Sequence, residues 1–139
     1  MLFISHSESE TEEIGKKVAS LVSGHDLIAM YGEMASGKTV FARGFVRFFF
    51  PEALVTSPTY ALLNQYAGED LTINHFDLYR IESEDDLASI GFWDVIENGI
   101  TLLEWSENVS DLLPVPRWDL VFVKTGESER EIRLEKREC

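Results

Sequence analysis

The sequence predicts an α/β domain of three layers, with a central, mainly parallel sheet and a C-terminal antiparallel element. Three observations carry this. Leu27-Ile28-Ala29-Met30-Tyr31 is a continuous apolar run, the texture of a strand covered on both faces. A glycine-rich turn follows it at once and leads into an apolar helical periodicity. Near the end, Leu120-Val121-Phe122-Val123 and Ile132-Arg133-Leu134 flank a turn around Gly126, the pattern of two pairing strands.

In chain order, Leu2 to Ile4 reads as a short opening strand. Ser9 and Glu12 make a capping box for a first helix. Ile14, Val18, Leu21 and Val22 then recur along one helical face until Gly24 ends it. After the strand from Leu27 and the glycine-rich turn, Phe41, Phe45, Phe48 and Phe49 line one side of a second helix, which Pro51 stops. Tyr60-Ala61-Leu62-Leu63 and Leu71 to Phe76 read as strands. A further helix begins after Ser83, with Asp86 three positions on and Leu87 and Ile90 facing inward. Ile100-Thr101-Leu102-Leu103 is another short buried strand. No repeat or low-complexity linker divides the 139 residues, so residues 1–139 are expected to form one domain.

Composition narrows the function. Twelve basic against 25 acidic side chains give a net charge of -13, which disfavours independent, backbone-led binding of nucleic acid. Cys139 is the single cysteine, so an internal disulfide and a cysteine-rich metal site are excluded. Acidic residues from Glu8 to Glu13 stand where a signal peptide would be basic and then apolar. Val40 to Phe50 is apolar but too short to span a membrane, and Arg43 and Arg47 interrupt it. Cytoplasmic residence is the expectation.

Gly32-Glu33-Met34-Ala35-Ser36-Gly37-Lys38-Thr39 matches G-x-x-x-x-G-K-[ST] in full, the P-loop pattern. Its setting between a buried strand and an amphipathic helix is what the chemistry needs. Successive backbone N–H groups wrap phosphate oxygens, and the first helical turn adds donors and the positive end of its dipole. Lys38 is then expected to reach the β- and γ-phosphates, and Thr39 to place its hydroxyl on Mg²⁺. The motif specifies a phosphate ligand better than it separates ATP from GTP. An N-K-x-D guanine-recognition sequence is absent.

Such chemistry also needs a carboxylate near the metal. Asp77 and Glu104 each follow a buried-strand signal, and open α/β sheets place binding groups beyond the C-terminal ends of strands. Glu104 is the stronger metal candidate, against a surface or capping role. For Asp77, contact with Mg²⁺ or with attacking water stands beside a salt bridge to Arg80. His75 alternates in phase with Asp77, either toward the site or in a structural hydrogen bond. Ser57 and Thr59 sit in a loop that responds to the γ-phosphate or merely satisfies its own amides. Trp105 either covers the metal side or packs as an ordinary aromatic.

Serine-hydrolase G-x-S-x-G and zinc-protease H-E-x-x-H patterns are absent. A small-molecule kinase would need a second pocket and an arginine-bearing lid, and the arginines form no such cluster. A non-catalytic nucleotide sensor is the other alternative.

Taken in order, Thr11-Glu12-Glu13-Ile14-Gly15, the P-loop, Ser57-Pro58-Thr59, His75-Phe76-Asp77-Leu78-Tyr79-Arg80, Gly91, Glu104-Trp105 and Arg130-Glu131-Ile132 resemble the TsaE family, also called YjeE. The resemblance covers nearly the whole chain and implies a P-loop NTPase-like fold. It further implies an ATP- and Mg²⁺-dependent ATPase that joins TsaB and TsaD in forming threonylcarbamoyladenosine in tRNA. In that family TsaD makes the transfer, and TsaE sustains turnover without attaching the group itself. Engagement of tRNA through the complex, and no membrane, go with it.

Carried over by motif, Lys38, Asp77 and Glu104 are the catalytic expectation, and Thr39, Glu104 and Asp77 the metal expectation. The nucleotide falls to Thr11, Gly32, Glu33, Met34, Ala35, Ser36, Gly37, Lys38, Thr39 and Arg130. One departure stands out. Members commonly end the loop Gly-Ala-Gly-Lys-Thr-Thr, whereas this chain has Ala35-Ser36-Gly37-Lys38-Thr39-Val40. Ala35 is strained there only if its φ is positive.

Overall fold

A computed structural model describes residues 1–59 and 61–138. Its strands are β1 (Leu2–Ser5), β2 (Leu27–Tyr31), β3 (Leu63–Ala67), β4 (Thr72–Asp77), β5 (Ile100–Glu104), β6 (Arg117–Lys124) and β7 (Arg130–Arg137). The helices are α1 (Glu8–Ala19), α2 (Lys38–Phe49), α3 (Glu84–Ser89) and α4 (Phe92–Val95). All seven strands join in one sheet, in the order β1-β7-β6-β2-β5-β4-β3. The central four, β6-β2-β5-β4, run parallel. Antiparallel pairs close both flanks, β1–β7–β6 on one side and β3–β4 on the other. The mainly parallel centre and the C-terminal antiparallel element are both present.

β2 shows how the layers form. Ile28 and Met30 enter the core shared with Val18, Phe41 and Phe45 of α1 and α2. Leu27 and Ala29 enter a second core with Leu87 of α3 and Phe92 of α4. A strand with helices on both faces has no polar side, which is why its sequence lacks alternation. Among the described residues, no helix is long and apolar enough to cross a membrane.

α1 and α2 pack backbone to backbone. A Cβ on Gly15 would lie 2.3 Å from the Phe41 carbonyl oxygen, and one on Gly44 1.9 Å from that of Glu12. Only glycine fits at this crossing. Glu12 then accepts hydrogen bonds from Arg43 Nε at 3.2 Å and Arg47 Nη1 at 3.3 Å. The contact sets Thr11, one turn before Gly15, beside the start of α2.

Several boundaries differ from the sequence expectation. The first helix is capped by Ser7, whose Oγ accepts the Glu10 N–H at 3.1 Å, and not by Ser9. It closes at Ala19, where the Ser20 hydroxyl takes up the Lys17 carbonyl, well before Gly24. Leu21 lies outside it and is exposed, as is Phe48 on α2. Phe41, Phe45 and Phe49 alone keep the spacing of four that holds one side of α2 inward.

The strand expected at residues 60–63 begins instead at Leu63, because Leu62 has a φ of 73° and donates its N–H to the Pro58 carbonyl. Tyr60 itself lies outside the described residues, as does Cys139. By contrast, Ser83 caps α3 through the Asp86 N–H as its spacing predicts.

Candidate functional site

The P-loop leaves β2 at Gly32 and enters α2 at Lys38. Three of its residues have positive φ: Gly32 at 146°, Ala35 at 65° and Gly37 at 105°. Gly32 also lacks room for a side chain, since a Cβ would stand 2.8 Å from the Phe122 carbonyl oxygen. Gly37 caps α2 without a side-chain hydrogen bond, so among the described residues no capping side chain occupies the N–H groups of the first turn. That is a ready anion site. Ala35 therefore occupies the conformation in which an L-residue is strained.

Lys38 is 5% exposed and its ammonium donates to the Gly32 carbonyl while lying 4.0 Å from the centroid of the Trp105 ring. Burial pushes its pKa below the usual lysine value, and the carboxylates of Glu107, Glu104 and Asp77 pull it back. Trp105 reaches this position because its backbone is left-handed, at φ 61° and ψ 40°, which turns the chain sharply after β5. Its ring meets the edge of Tyr79 at a centroid distance of 5.1 Å. Trp105 thus lines the site.

Asp77 and Glu104 are the last residues of β4 and β5, and the parallel register sets them opposite each other. Both are buried, at 5% and 4% exposure. Asp77 accepts the Tyr79 N–H on Oδ1 at 2.9 Å rather than pairing with Arg80. Its pKa is raised, first by burial and then by the Glu104 charge, against the Tyr79 N–H, His75 and Lys38. Glu104 Oε2 lies 2.6 Å from His75 Nε2. Neither acid has a lysine or arginine within salt-bridge distance among the described residues. Two buried, adjacent carboxylates without such a partner suit a cation. With the Thr39 hydroxyl they offer hard oxygen donors of the kind Mg²⁺ takes.

These groups open on one cleft of about 910 Å³. Met34, Ala35, Gly37, Lys38 and Thr39 of the P-loop line it, together with Asp77, Glu104 and Trp105 from the strand ends and with Thr11 and Arg130. Thr11 is held by a 2.7 Å hydrogen bond with Ser5, and Arg130 Nη2 donates to the Ala35 carbonyl at 3.1 Å. Ser57 and Thr59, hydrogen-bonded to each other at 2.7 Å, line the rim. Gly32, Glu33 and Ser36 do not line the cleft. Glu33 is exposed, and the Ser36 hydroxyl is buried with no protein partner among the described residues.

Sequence reasoning passed over Glu107, whose carboxylate accepts the Gly32 N–H at 2.8 Å. It also passed over His6, Ser7, Glu127 and Ser128, which line the same cleft. Glu107 carries the signal that marked Glu104, an acid just beyond a buried strand. Those four carry none, because they come from two connections far apart in the sequence, β1–α1 and β6–β7.

Comparison with known proteins places this architecture. A family model described as Threonylcarbamoyl adenosine biosynthesis protein TsaE matches residues 5–132. The tRNA threonylcarbamoyladenosine biosynthesis protein TsaE of Treponema pallidum is 35% identical over 135 residues, 96% of this chain and 99% of that protein. Its namesake from Rickettsia conorii is 35% identical over 112 residues, 80% of this chain, and the match spans 64% of the relative's own length. The crystal structure of Bacillus subtilis YdiB shares the fold with a TM-score of 0.76 at 26% identity, covering 95% of this chain and 82% of that one. A family model over most of the chain, a relative matched along nearly all its length and a common α/β fold agree, and the chain belongs to the TsaE family, the ATPase-type accessory proteins of tRNA threonylcarbamoyladenosine biosynthesis.

Proposed function

We propose that this chain binds and hydrolyses Mg²⁺-ATP as the accessory subunit of TsaB and TsaD, sustaining their formation of threonylcarbamoyladenosine in tRNA without transferring the group itself. One observation supports it above the rest. A P-loop lysine and two buried strand-end acids, Asp77 and Glu104, open on the same cleft.

In this reading the loop amides and Lys38 hold the phosphate oxygens, while Thr11 and Arg130 border the rest of the nucleotide. Thr39, Glu104 and Asp77 hold Mg²⁺, which when bound neutralises phosphate charge and stabilises the charge that develops on the transferred group. Asp77, with Oδ1 committed to Tyr79, has Oδ2 for the ion or for the attacking water. The Trp105 ring covers the Lys38 ammonium, which strengthens its pull on phosphate. With a net charge of -13, the chain meets tRNA through its partners' basic surfaces. The unit is one ATPase domain, residues 1–139, working in the cytoplasm.

The test is a modification assay with purified TsaB, TsaD, tRNA and an activated threonylcarbamoyl donor supplied in excess. Adding this chain should turn a single round of modification into many, with ADP and phosphate released. Lys38→Ala should abolish that gain. Repeated turnover without the chain, or none with it, would overturn the proposal. Phosphate found on an organic acceptor instead of in water would mark a kinase.

A further inference from the structure

Glu104 does not hold its place alone. His75 faces Leu102 in the β4–β5 register while Asp77 faces Glu104, so the imidazole sits one pleat deeper in the sheet than the two acids. Its side chain has 0% exposure, and its Nε2 lies 2.6 Å from Glu104 Oε2. The other ring nitrogen, Nδ1, is buried with no protein partner among the described residues.

Those facts select a tautomer. Of the two neutral tautomers, the one with N–H on Nδ1 leaves a buried donor unmatched and sets two acceptors 2.6 Å apart. A neutral ring with its proton on Nε2 gives its only N–H to the carboxylate and leaves just an acceptor unpaired. The bond also opposes a specific force. Asp77 and Glu104 end neighbouring strands, and like charge would swing the Glu104 carboxylate away from the cleft.

We infer that His75 is a positioning residue: its imidazole donates from Nε2 to Oε2 of Glu104 and fixes that carboxylate with Oε1 left for a divalent cation. The inference rests on the reading of Glu104 as an acid that serves Mg²⁺. The role needs one donor at the Nε2 position, nothing more. His75→Gln keeps an N–H donor at similar reach, and His75→Leu fills the space without one.

Two measurements test it. Nitrogen-15 NMR of the histidine rings in the full chain, without metal or nucleotide, should show a proton on His75 Nε2. A ring protonated at Nδ1 alone, with Nε2 bare, would overturn the inference without any variant needing to fold. Mn²⁺ binding, followed by electron paramagnetic resonance with a saturating non-hydrolysable ATP analogue, should weaken about tenfold or more in H75L. H75Q should recover most of that loss. H75L binding Mn²⁺ like the wild type, or H75Q as weak as H75L, would sink the positioning role. Glu104→Gln separates the two ideas. If E104Q weakens Mn²⁺ while H75L does not, only the role of His75 fails; if E104Q changes nothing, the reading of Glu104 fails and takes this one with it.

Discussion

The carboxylate of Glu107 accepts the main-chain N–H of Gly32 at 2.8 Å, so the turn after β5 grips the P-loop at its first residue. The carbonyl of the same glycine receives the Lys38 ammonium. Gly32 is thus held at both of its polar groups, and the lysine and the acid stand on either side of one residue.

Glu107 therefore does two things that substitution can separate. Glu107→Gln keeps an acceptor for Gly32 and removes a negative charge from beside the phosphate site. Its thermal stability should stay near that of the wild type, while ATP affinity rises several-fold, about 1 kcal/mol for one like charge at this range. Glu107→Ala loses the acceptor as well and should cost about 1 kcal/mol of stability. Calorimetric titration and thermal melting read the two effects. Weaker ATP binding by E107Q would show that the charge assists the site.

Ala35 supplies a prediction of opposite sign. At φ 65° its Cβ meets the steric penalty of the left-handed region, about 1–2 kcal/mol. Glycine escapes this but loses more backbone freedom on folding. Ala35→Gly should net about 0.5–1 kcal/mol of stability and raise Tm by about 2–4 °C. The Ala35 carbonyl would still accept from Arg130, so the loop should keep its shape and bind ATP at least as tightly. A lower melting temperature for A35G would show that the loop leaves the left-handed region in solution.

The same residues show what was legible in the sequence. β2, the P-loop and α2 announce themselves because burial, turn chemistry and helical period change within a few positions. Asp77 and Glu104 were legible because an acid ending a buried strand must lie at the sheet's C-terminal edge. The helix start was not. Ser7-Glu8-Ser9-Glu10 and Ser9-Glu10-Thr11-Glu12 carry the same capping pattern. Packing decides between them, since Thr11 is buried against Ser5 inside the helix that starts at Glu8. The partners of His75 and Glu107 were beyond reach for a related reason. They lie 29 and 75 positions away, and only the strand order brings them together.

The α1–α2 crossing should be the least forgiving place in the fold. Gly44→Ala sets a methyl group 1.9 Å from the Glu12 carbonyl oxygen, and backbone cannot yield as a side chain does. The helices must part, at about 2–3 kcal/mol. Thr11 moves with α1, so nucleotide affinity should fall along with stability. Gly24→Ala is the control: nothing lies within 4 Å of its Cβ, and its stability should change by less than about 0.5 kcal/mol. Urea denaturation of both variants checks this, and equal midpoints would refute the close contact.

Tyr31 predicts a loss of stability in alkali. Its hydroxyl donates to Asp119 Oδ1 at 3.1 Å, and Arg117 Nε donates to that same oxygen at 2.8 Å. Burial, then the charge of Asp119, pushes the Tyr31 phenol up to about 12, with Arg117 opposing. The unfolded chain ionises this group near pH 10. A raised pKa in the folded state means that the fold holds the proton longer than the unfolded chain does. The contribution is therefore complete below about pH 10 and fades as pH climbs through about 12. Absorbance titration should find that one of the four tyrosines ionises well after a free phenol would. Urea midpoints measured across the same interval should fall less steeply in Tyr31→Phe than in the wild type. Parallel curves for the two proteins would mean that other groups cause the alkaline loss and that the phenol ionises freely.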